Sequence, residues 1–444
     1  MPLVLRRIIY WSFIACFLLV APILALYSMG YRYHWGKHRI ERTGLIVLDG
    51  MPRDATVRID GEIRAQRLPA RVGGLGENEY TIRVERDGFH PWEERVLVTS
   101  GRTTSATDML LFRDALPTLE LDGPITRTTV SADGQWLAFS RRQESFEELW
   151  IVDLTSTKRT IALRTPIVNS SLVPRPSPLA FTWSPRNATL LVTTASAILT
   201  IDPHDVRLPR SLSNLLPRRP STIAWELGSG NALIAAVDGR LLRISLLTGR
   251  TVTLPVPAPA GPFAVARGSL FTVTTRALTV TTIDGGATNV ISTGDATITT
   301  LVDLQGSVLA AETDHQILDI ALTTGNVRTR TGYGLRGHVR DGVVAWHGTP
   351  FELWEESGDP PQPRLLARRD TPIVDAAWHP NAPYVLLATA HDITAINRNV
   401  PNRPPVTLAM FDDLQTVAID RTGATLLIIG RRGTTEGLWS LQSQ

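Results

Sequence analysis

The chain has 444 residues, 43% hydrophobic and 20% charged, which excludes a disordered, collagen-like or multi-pass membrane protein. Lys+Arg 45 against Asp+Glu 42 leaves no basic block of the size nucleic acid requires, so no nucleic-acid partner is expected. Cys16 is the only cysteine, which excludes a disulfide framework, a zinc knuckle and a CxxC redox pair; roughly 150 residues per domain allows about three units.

The chain opens on an apolar segment. Ile8 to Met29, IIYWSFIACFLLVAPILALYSM, carries no charge. As a helix it would extend about 33 Å, against a hydrocarbon core of about 30 Å. Tyr10 and Trp11 at one end, and Tyr27, Tyr31, Tyr33 and Trp35 at the other, sit where interfacial anchors belong. Pro22 is tolerated in such a helix. A cleaved signal peptide is the alternative, but the run exceeds the usual h-region and no small-x-small site follows it. The expectation is therefore a tail and transmembrane helix over 1–30, meeting the membrane through residues 8–29, and a juxtamembrane linker over 31–42. Arg6 and Arg7 precede the helix, and Arg32, Lys37, Arg39 and Arg42 follow it, so a strict positive-inside count slightly favours a cytoplasmic C-terminus. Long C-terminal domains translocate largely regardless of flanking charge. The expected placement is a single pass in the cell membrane with the bulk of the chain extracytoplasmic.

From Thr43 the pattern changes to period two. Val57 and Ile59 fall on one face of a strand, with Arg58 and Asp60 on the other, and Asp60-Gly61 supplies a hairpin turn. Tyr80 to Glu85 alternates again, Asp87-Gly88 turns the chain, and Val96-Leu97-Val98 is a further strand before Ser100-Gly101. Short strands without a helical period predict a small β-sandwich over 43–112. Pro52-Arg53-Asp54-Ala55, Val57 to Gly61, Leu68-Pro69 and TIRVERDGFHPWEERVLV with Gly101 resemble the PEGA domain, over Thr43 to Leu111. Arg53 and Asp54 replace the Glu and Gly of its name-giving motif, and the turn from Gly76 to Tyr80 is longer than the family's. The resemblance implies a non-enzymatic surface module of prokaryotic membrane-anchored proteins, a spacer or a glycan- or protein-contacting unit.

Over 113–444 the sequence repeats: a strand, a polar turn, a strongly apolar strand, then an alternating strand. TTVSADGQWLAFS, AFTWSPRNATLLVTT, DAAWHPNAPYVLLAT and TVAIDRTGATLLIIG are the clear copies, with weaker ones near Ile223, Phe263, Thr297 and Arg336. An insertion, Pro166 to Pro178, widens one interval. Dividing the segment by about 40–45 residues per blade predicts about eight β-propeller blades, with seven possible. The overall fold class is all-β, with one N-terminal transmembrane helix. Pro117 to Leu121 is a spare strand ahead of the first repeat, and the last repeat lacks a fourth strand. The two are expected to close the ring, with the spare strand beside residues 437–441. Ser131-Ala132-Asp133-Gly134, Ser184-Pro185-Arg186-Asn187 and the Thr248-Gly249 and Thr324-Gly325 turns resemble TolB-type and WD40-like repeats, a resemblance that implies a propeller and no particular function.

Reactive chemistry is sparse. No HxH or HExxH spacing, GxSxG elbow, Walker loop or dinucleotide fingerprint occurs, so no cofactor, metal site or catalytic residue is expected. His379 stands where the repeat turn has Ser and reads as a turn polar group. Glu147, Glu148, Glu226, Glu312, Glu352, Glu355 and Glu356 are glycosidase candidates by identity alone; that chemistry needs two carboxylates about 5–10 Å apart in a deep polar pocket. The arginines of Leu208 to Pro220 and of Asn397 to Pro405 are placed to contact anionic polymers from loops. The leading expectation is a non-catalytic, membrane-anchored binding or scaffolding protein whose propeller takes an envelope protein or polysaccharide. The alternatives are a propeller glycan hydrolase and an assembly factor docking peptides by strand addition.

Overall fold

Strand-forming chemistry dominates everything beyond the first helix. The computed structural model describes residues 3–28, 31–34, 39–167, 179–274, 276–313, 316–331, 344–357, 362–400 and 403–444. The chain divides into two compact units, Met1–Ala115 and Leu116–Ser443.

The first helix, α1, runs Leu3–Ser28 with Pro22 inside it. Its described apolar side chains are exposed around the whole circumference, from Trp11 and Phe13 to Leu19, Ile23 and Tyr27. Among the described residues, which leave out the side chains of residues 3–5, Ile8, Leu26 and Ser28, no helix is long and apolar enough to cross a membrane. Met29, Trp35, Lys37 and His38 lie outside the described residues.

The small unit is a two-sheet sandwich. One sheet orders Ala70–Leu75, Gly44–Met51 and Thr103–Leu110, the last two parallel. The other orders Glu62–Ala65, Thr56–Ile59, Asn78–Glu85 and Trp92–Val98. Ile46 and Leu48 of the first sheet meet Val57, Ile59, Ile82, Val84 and Val98 of the second in one core. Each fully buried Val, Leu or Ile contributes about 1.5–3 kcal/mol. The expected alternation holds, since Leu97 between Val96 and Val98 is exposed. Asp60 and Gly61 both take positive φ, 48° and 83°, as a two-residue hairpin turn matched to strand twist requires.

The large unit is a ring of eight sheets. Blade 1 orders Ile125–Val130, Trp136–Arg142, Phe146–Asp153 and Arg159–Pro166; blade 2 starts at Ala180–Trp183, blade 3 at Thr222–Trp225, blade 4 at Phe263–Ala266 and blade 5 at Ile298–Gln305. Blade 6 shows three strands among the described residues, Val344–Thr349, Glu352–Ser357 and Gln362–Arg368. The copy near Arg336 and most of the insertion before Pro178 lie outside those residues. Blade 7 starts at Ile373–Trp378 and blade 8 at Asp413–Ile419. First strands of neighbouring blades touch at the hub between blades 1 and 2, 4 and 5, and 7 and 8. Second strands such as Ala232–Val237 and Tyr384–Thr389 are buried at every position. That explains their continuous apolar runs: both faces of such a strand are packed, so alternation disappears.

Thr118–Asp122 closes the ring as expected. It pairs antiparallel with Thr435–Gln442, in the register Thr118↔Ser440, Leu119↔Trp439, Leu121↔Leu438 and Asp122↔Gly437. Ser440 donates to Glu120 at 2.5 Å, and Glu120 meets Arg159 of blade 1 at 2.9 Å. A side chain at Gly437 would overlap the Leu121 carbonyl oxygen, so this position needs glycine for the close approach of the two strands.

One position recurs from blade to blade. Ser131, Ser184, Glu226, His379 and Asp420 each open the turn after a first strand, and all are buried. Each backbone amide there bonds across the turn: to Trp136, Thr189, Ala232, Tyr384 and Thr425 carbonyls respectively. Most of the side chains also satisfy donors within the turn. Ser184 Oγ accepts from the Arg186 and Asn187 amides, His379 Nδ1 from Asn381 at 3.2 Å, and Asp420 from Ala424 at 2.8 Å. A buried amide left without an acceptor costs about 1–3 kcal/mol, which selects a polar group here. Tryptophans tie blade to blade: Trp183 Nε1 donates to Thr129 O at 3.1 Å and Trp225 Nε1 to Thr182 O at 3.2 Å.

Candidate functional site

The glutamates singled out by identity are mostly placed by their strands into ion pairs. Glu148, 3% exposed, lies opposite Arg141 on one side and Arg164 on the other. It accepts from Arg164 Nε and Trp150 Nε1, both at 2.9 Å. Glu147 is buried and accepts from the Thr126 hydroxyl at 3.1 Å. Glu226 accepts from Arg243 at 2.8 and 2.9 Å. Glu352 takes Trp354 Nε1 at 3.1 Å and Arg368 Nε at 2.8 Å, and these two donors hold its carboxyl below the usual carboxylate range. Glu355 in blade 6 accepts two bonds from Arg398 of blade 7, at 3.0 and 2.9 Å, and one from Arg364 at 3.2 Å. Burial pushes its carboxyl up, but the two guanidiniums outweigh that and hold it below its ordinary value. Arg398 also stacks 4.4 Å over the Trp378 ring. Glu312 is half-buried, and the Glu356 side chain lies outside the described residues.

In the two arginine-bearing loops, several of the arginines are held by neighbouring groups. Leu208 to Pro220 contains the outer strand of blade 2, Arg210–Ser211. It is pinned by buried Leu212 and Leu216, while Arg210 and Arg219 bond to backbone carbonyls of Leu246 and of Thr194 and Ala195. In Asn397 to Pro405, Asn397 accepts the Asn399 and Val400 amides and Arg398 is committed to Glu355; residues 401 and 402 lie outside the described residues. Arg218 of the first loop stays largely exposed, 3.6 Å from Asp238.

What remains open is at the hub. A cavity of about 800 Å³ is lined by the first strands and following turns of blades 7, 8 and 1, with Asp375, Trp378, Gln415, Thr416, Arg421, Thr128 and Asp133 among its walls. None of the candidate glutamates lines it. The Thr128 and Thr416 hydroxyls bond to each other at 2.7 Å across the junction of blades 8 and 1. Asp375 is wedged between the first strands of blades 7 and 8: one oxygen accepts the Ala376 amide at 2.8 Å and the other the Val417 amide at 2.9 Å. Burial pushes its carboxyl up to about 7, against the lowering effect of those two amides. Asp375 was not a candidate in the sequence. Its signal is an acidic residue interrupting the otherwise apolar first strand IVDAAW.

Among the described residues no group of three or more His, Cys, Asp or Glu side chains is arranged to hold a metal ion. His379 is buried in its turn, and Cys16 is free and exposed on α1.

These features define a class: a multi-bladed β-propeller behind a small β-sandwich, with a polar cavity at the hub. The sandwich matches the PEGA domain over residues 43–110. No curated protein matches the chain. Among solved structures, the propeller of Dos1 is similar at 15% identity and a TM-score of 0.47, covering 75% of this chain and 96% of that one. Sqt1 of Saccharomyces cerevisiae is similar at 10% identity and a TM-score of 0.45, covering 74% and 99%. An oligogalacturonate lyase in complex with manganese is similar at 13% identity and a TM-score of 0.41, covering 72% and 88%.

Proposed function

We propose that the chain is a single-pass, membrane-anchored binding or scaffolding protein of the cell envelope, with its bulk extracytoplasmic and its propeller engaging another macromolecule. The observation that carries this reading is the division of labour among polar groups in the propeller. Buried glutamates are spent on arginine ties within and between blades, while the hub keeps an open polar cavity. A site of this volume falls within the 300–1,000 Å³ of ordinary ligand pockets. The anchor is supported by α1, whose described apolar side chains are uncovered on all sides. A helix hydrophobic all round needs an apolar environment, and the uncharged run from Ile8 to Met29 would extend about 33 Å as a helix, close to the hydrocarbon core.

The test has two arms. Alkaline carbonate washing of membranes should leave the chain in the pellet, and protease added to intact cells should digest the propeller. A soluble product starting near residue 28 would overturn the anchor, and full protection the orientation. The purified chain, screened against envelope polymers and chromogenic glycosides, should bind without turnover. Hydrolysis abolished by Glu148→Gln or another single carboxylate substitution would replace the binding reading with an enzyme.

A further inference from the structure

We infer that the hub cavity is a receptor for a cationic side chain, a lysine or arginine presented by a peptide segment of a partner protein. This rests on the reading that the propeller binds a macromolecule, and it names the chemistry of the contact. Three carboxylates line the cavity, Asp133, Asp375 and Asp420, against one guanidinium, Arg421. Two of the three are already used by their own turns: Asp133 accepts Ser131 Oγ and the Gln135 amide, and Asp420 accepts the Ala424 amide and Thr422 Oγ1. Asp375 differs. It sits inside, on the first strand of blade 7, and its bonds are the Ala376 and Val417 amides.

A carboxylate has about four lone-pair positions, so two amides leave acceptor capacity on a wall of the cavity. The buried Glu148 and Glu355 stand opposite Arg141 and Arg364 in register and are neutralised by ion pairs with them. Asp375 is paired in register with Ala388 and forms no ion pair among the described residues. A half-buried carboxyl on a cavity wall, with amide donors but no cation, is incomplete in charge, and an entering ammonium or guanidinium supplies what is missing. Val374, Ala376, Val417 and Ile419 on the same walls offer apolar contact to the aliphatic stem of such a side chain. The net negative lining raises the local concentration of cations. The volume admits a short stretch of peptide around the charged residue.

Binding should depend on pH with a definite sign. The Asp375 carboxyl is pushed up to about 7, so it is ionised, and able to hold a cation, above that value and protonated below it. Asp133, Asp420 and Arg421 are the other charged groups on the cavity walls. His379, at the end of the same strand, faces its own turn and needs a His379→Gln control.

The test uses the full chain in detergent and titrates a capped Gly-Arg-Gly peptide, its Lys and Glu counterparts, and the citrulline analogue, which keeps the shape of arginine without its charge. The Arg or Lys peptide should bind at least about tenfold more tightly than citrulline at pH 8, and this preference should shrink about tenfold per unit as pH falls below 7. Asp375→Asn should bring the Arg and citrulline affinities within about twofold, while the surface variant Asp238→Asn keeps the preference. Equal binding of the Arg and citrulline peptides by the wild-type chain at pH 8 would overturn the inference even if Asp375→Asn does not fold. So would preference for the Glu peptide, or no peptide binding at all. Each of those outcomes leaves the wider binding role to stand or fall on the envelope-polymer screen. A preference that survives Asp375→Asn would also refute the assignment.

Discussion

Replacing Gly437 with Ala attacks the closure of the propeller at its tightest point. A Cβ there would overlap the Leu121 carbonyl oxygen and stand 3.1 Å from Asp122 Cα. The strand Thr118–Asp122 must therefore withdraw at its Asp122 end. The whole seam has four paired positions, worth about 1 kcal/mol per ladder bond. Half-buried Leu121, packed on the cluster of Leu137, Phe139 and Leu438, adds about 1 kcal/mol. Losing half of the seam costs about 2 kcal/mol, which in a unit of this size lowers Tm by about 3 °C. Thermal melting of the full chain measures the shift, and limited proteolysis between Ala115 and Gly123 reports the loosened strand. Gly261→Ala is the control, because its Cβ would meet nothing nearer than the Val273 carbonyl at 3.6 Å. A Gly437→Ala protein that melts with the control and resists proteolysis equally would show that the seam does not hold the ring.

Ser184→Ala should cost about 1–2 kcal/mol, since the Arg186 and Asn187 amides lose their acceptor and the tie to Gly230 is broken; chemical denaturation measures it. Glu148→Gln should cost about 2 kcal/mol, less than a fully enclosed pair, because Arg141 retains Asp122 and Arg164 is largely solvated. Because the Glu355 carboxyl lies below its ordinary value, its pairs with Arg398 and Arg364 stabilise the fold above the unfolded-state pKa and are lost as pH falls through the lowered one. Arg398→Ala should therefore lower Tm at pH 7, and the difference from wild type should shrink as pH falls through the lowered Glu355 value. Asp375 has the opposite sign: its raised value means folding holds the proton, so stability falls as pH rises from about 4 to 7. Melts of Asp375→Asn across that range should lack this slope.

Faces and punctuation are what the sequence makes legible. Val57 and Ile59, the buried second strands, and the spare segment at Pro117 could be read because each is local or a matter of counting strands. The turn role of His379 was readable because its neighbours in the repeat are Ser131 and Ser184. Partners were not readable. Glu148 meets Arg164 through register, 16 residues away, and Glu355 meets Arg398 through the packing of two blades, 43 residues away. No period of two or forty encodes such pairs. The arginines of Leu208 to Pro220 could not be sorted for the same reason, since composition marks a polar segment but does not show that Arg210 and Arg219 meet carbonyls while Arg218 faces solvent. Asn187, standing where the repeat usually has Gly, gains its meaning only from Gly230 and Asn231 of the next blade, to which its amide donates at 3.2 and 2.8 Å.

The closing strand also imposes an order of events on biosynthesis. Thr118–Asp122 is made before any blade, yet its partner, Thr435–Gln442, is made after all the other blade strands. While more than three hundred intervening residues are added, at about 5–20 residues per second, the first-made strand waits for many seconds without its ladder. The growing array meanwhile carries one open strand edge after another, the kind of surface that pairs with foreign chains. The ring therefore cannot reach its sealed state until Thr435–Gln442 is released, and a stop that removes this strand leaves Thr118–Asp122 unpaired and strips one of two neighbours from Thr425–Arg432. Loss of this one short strand should thus be as damaging as the loss of much longer stretches between the two.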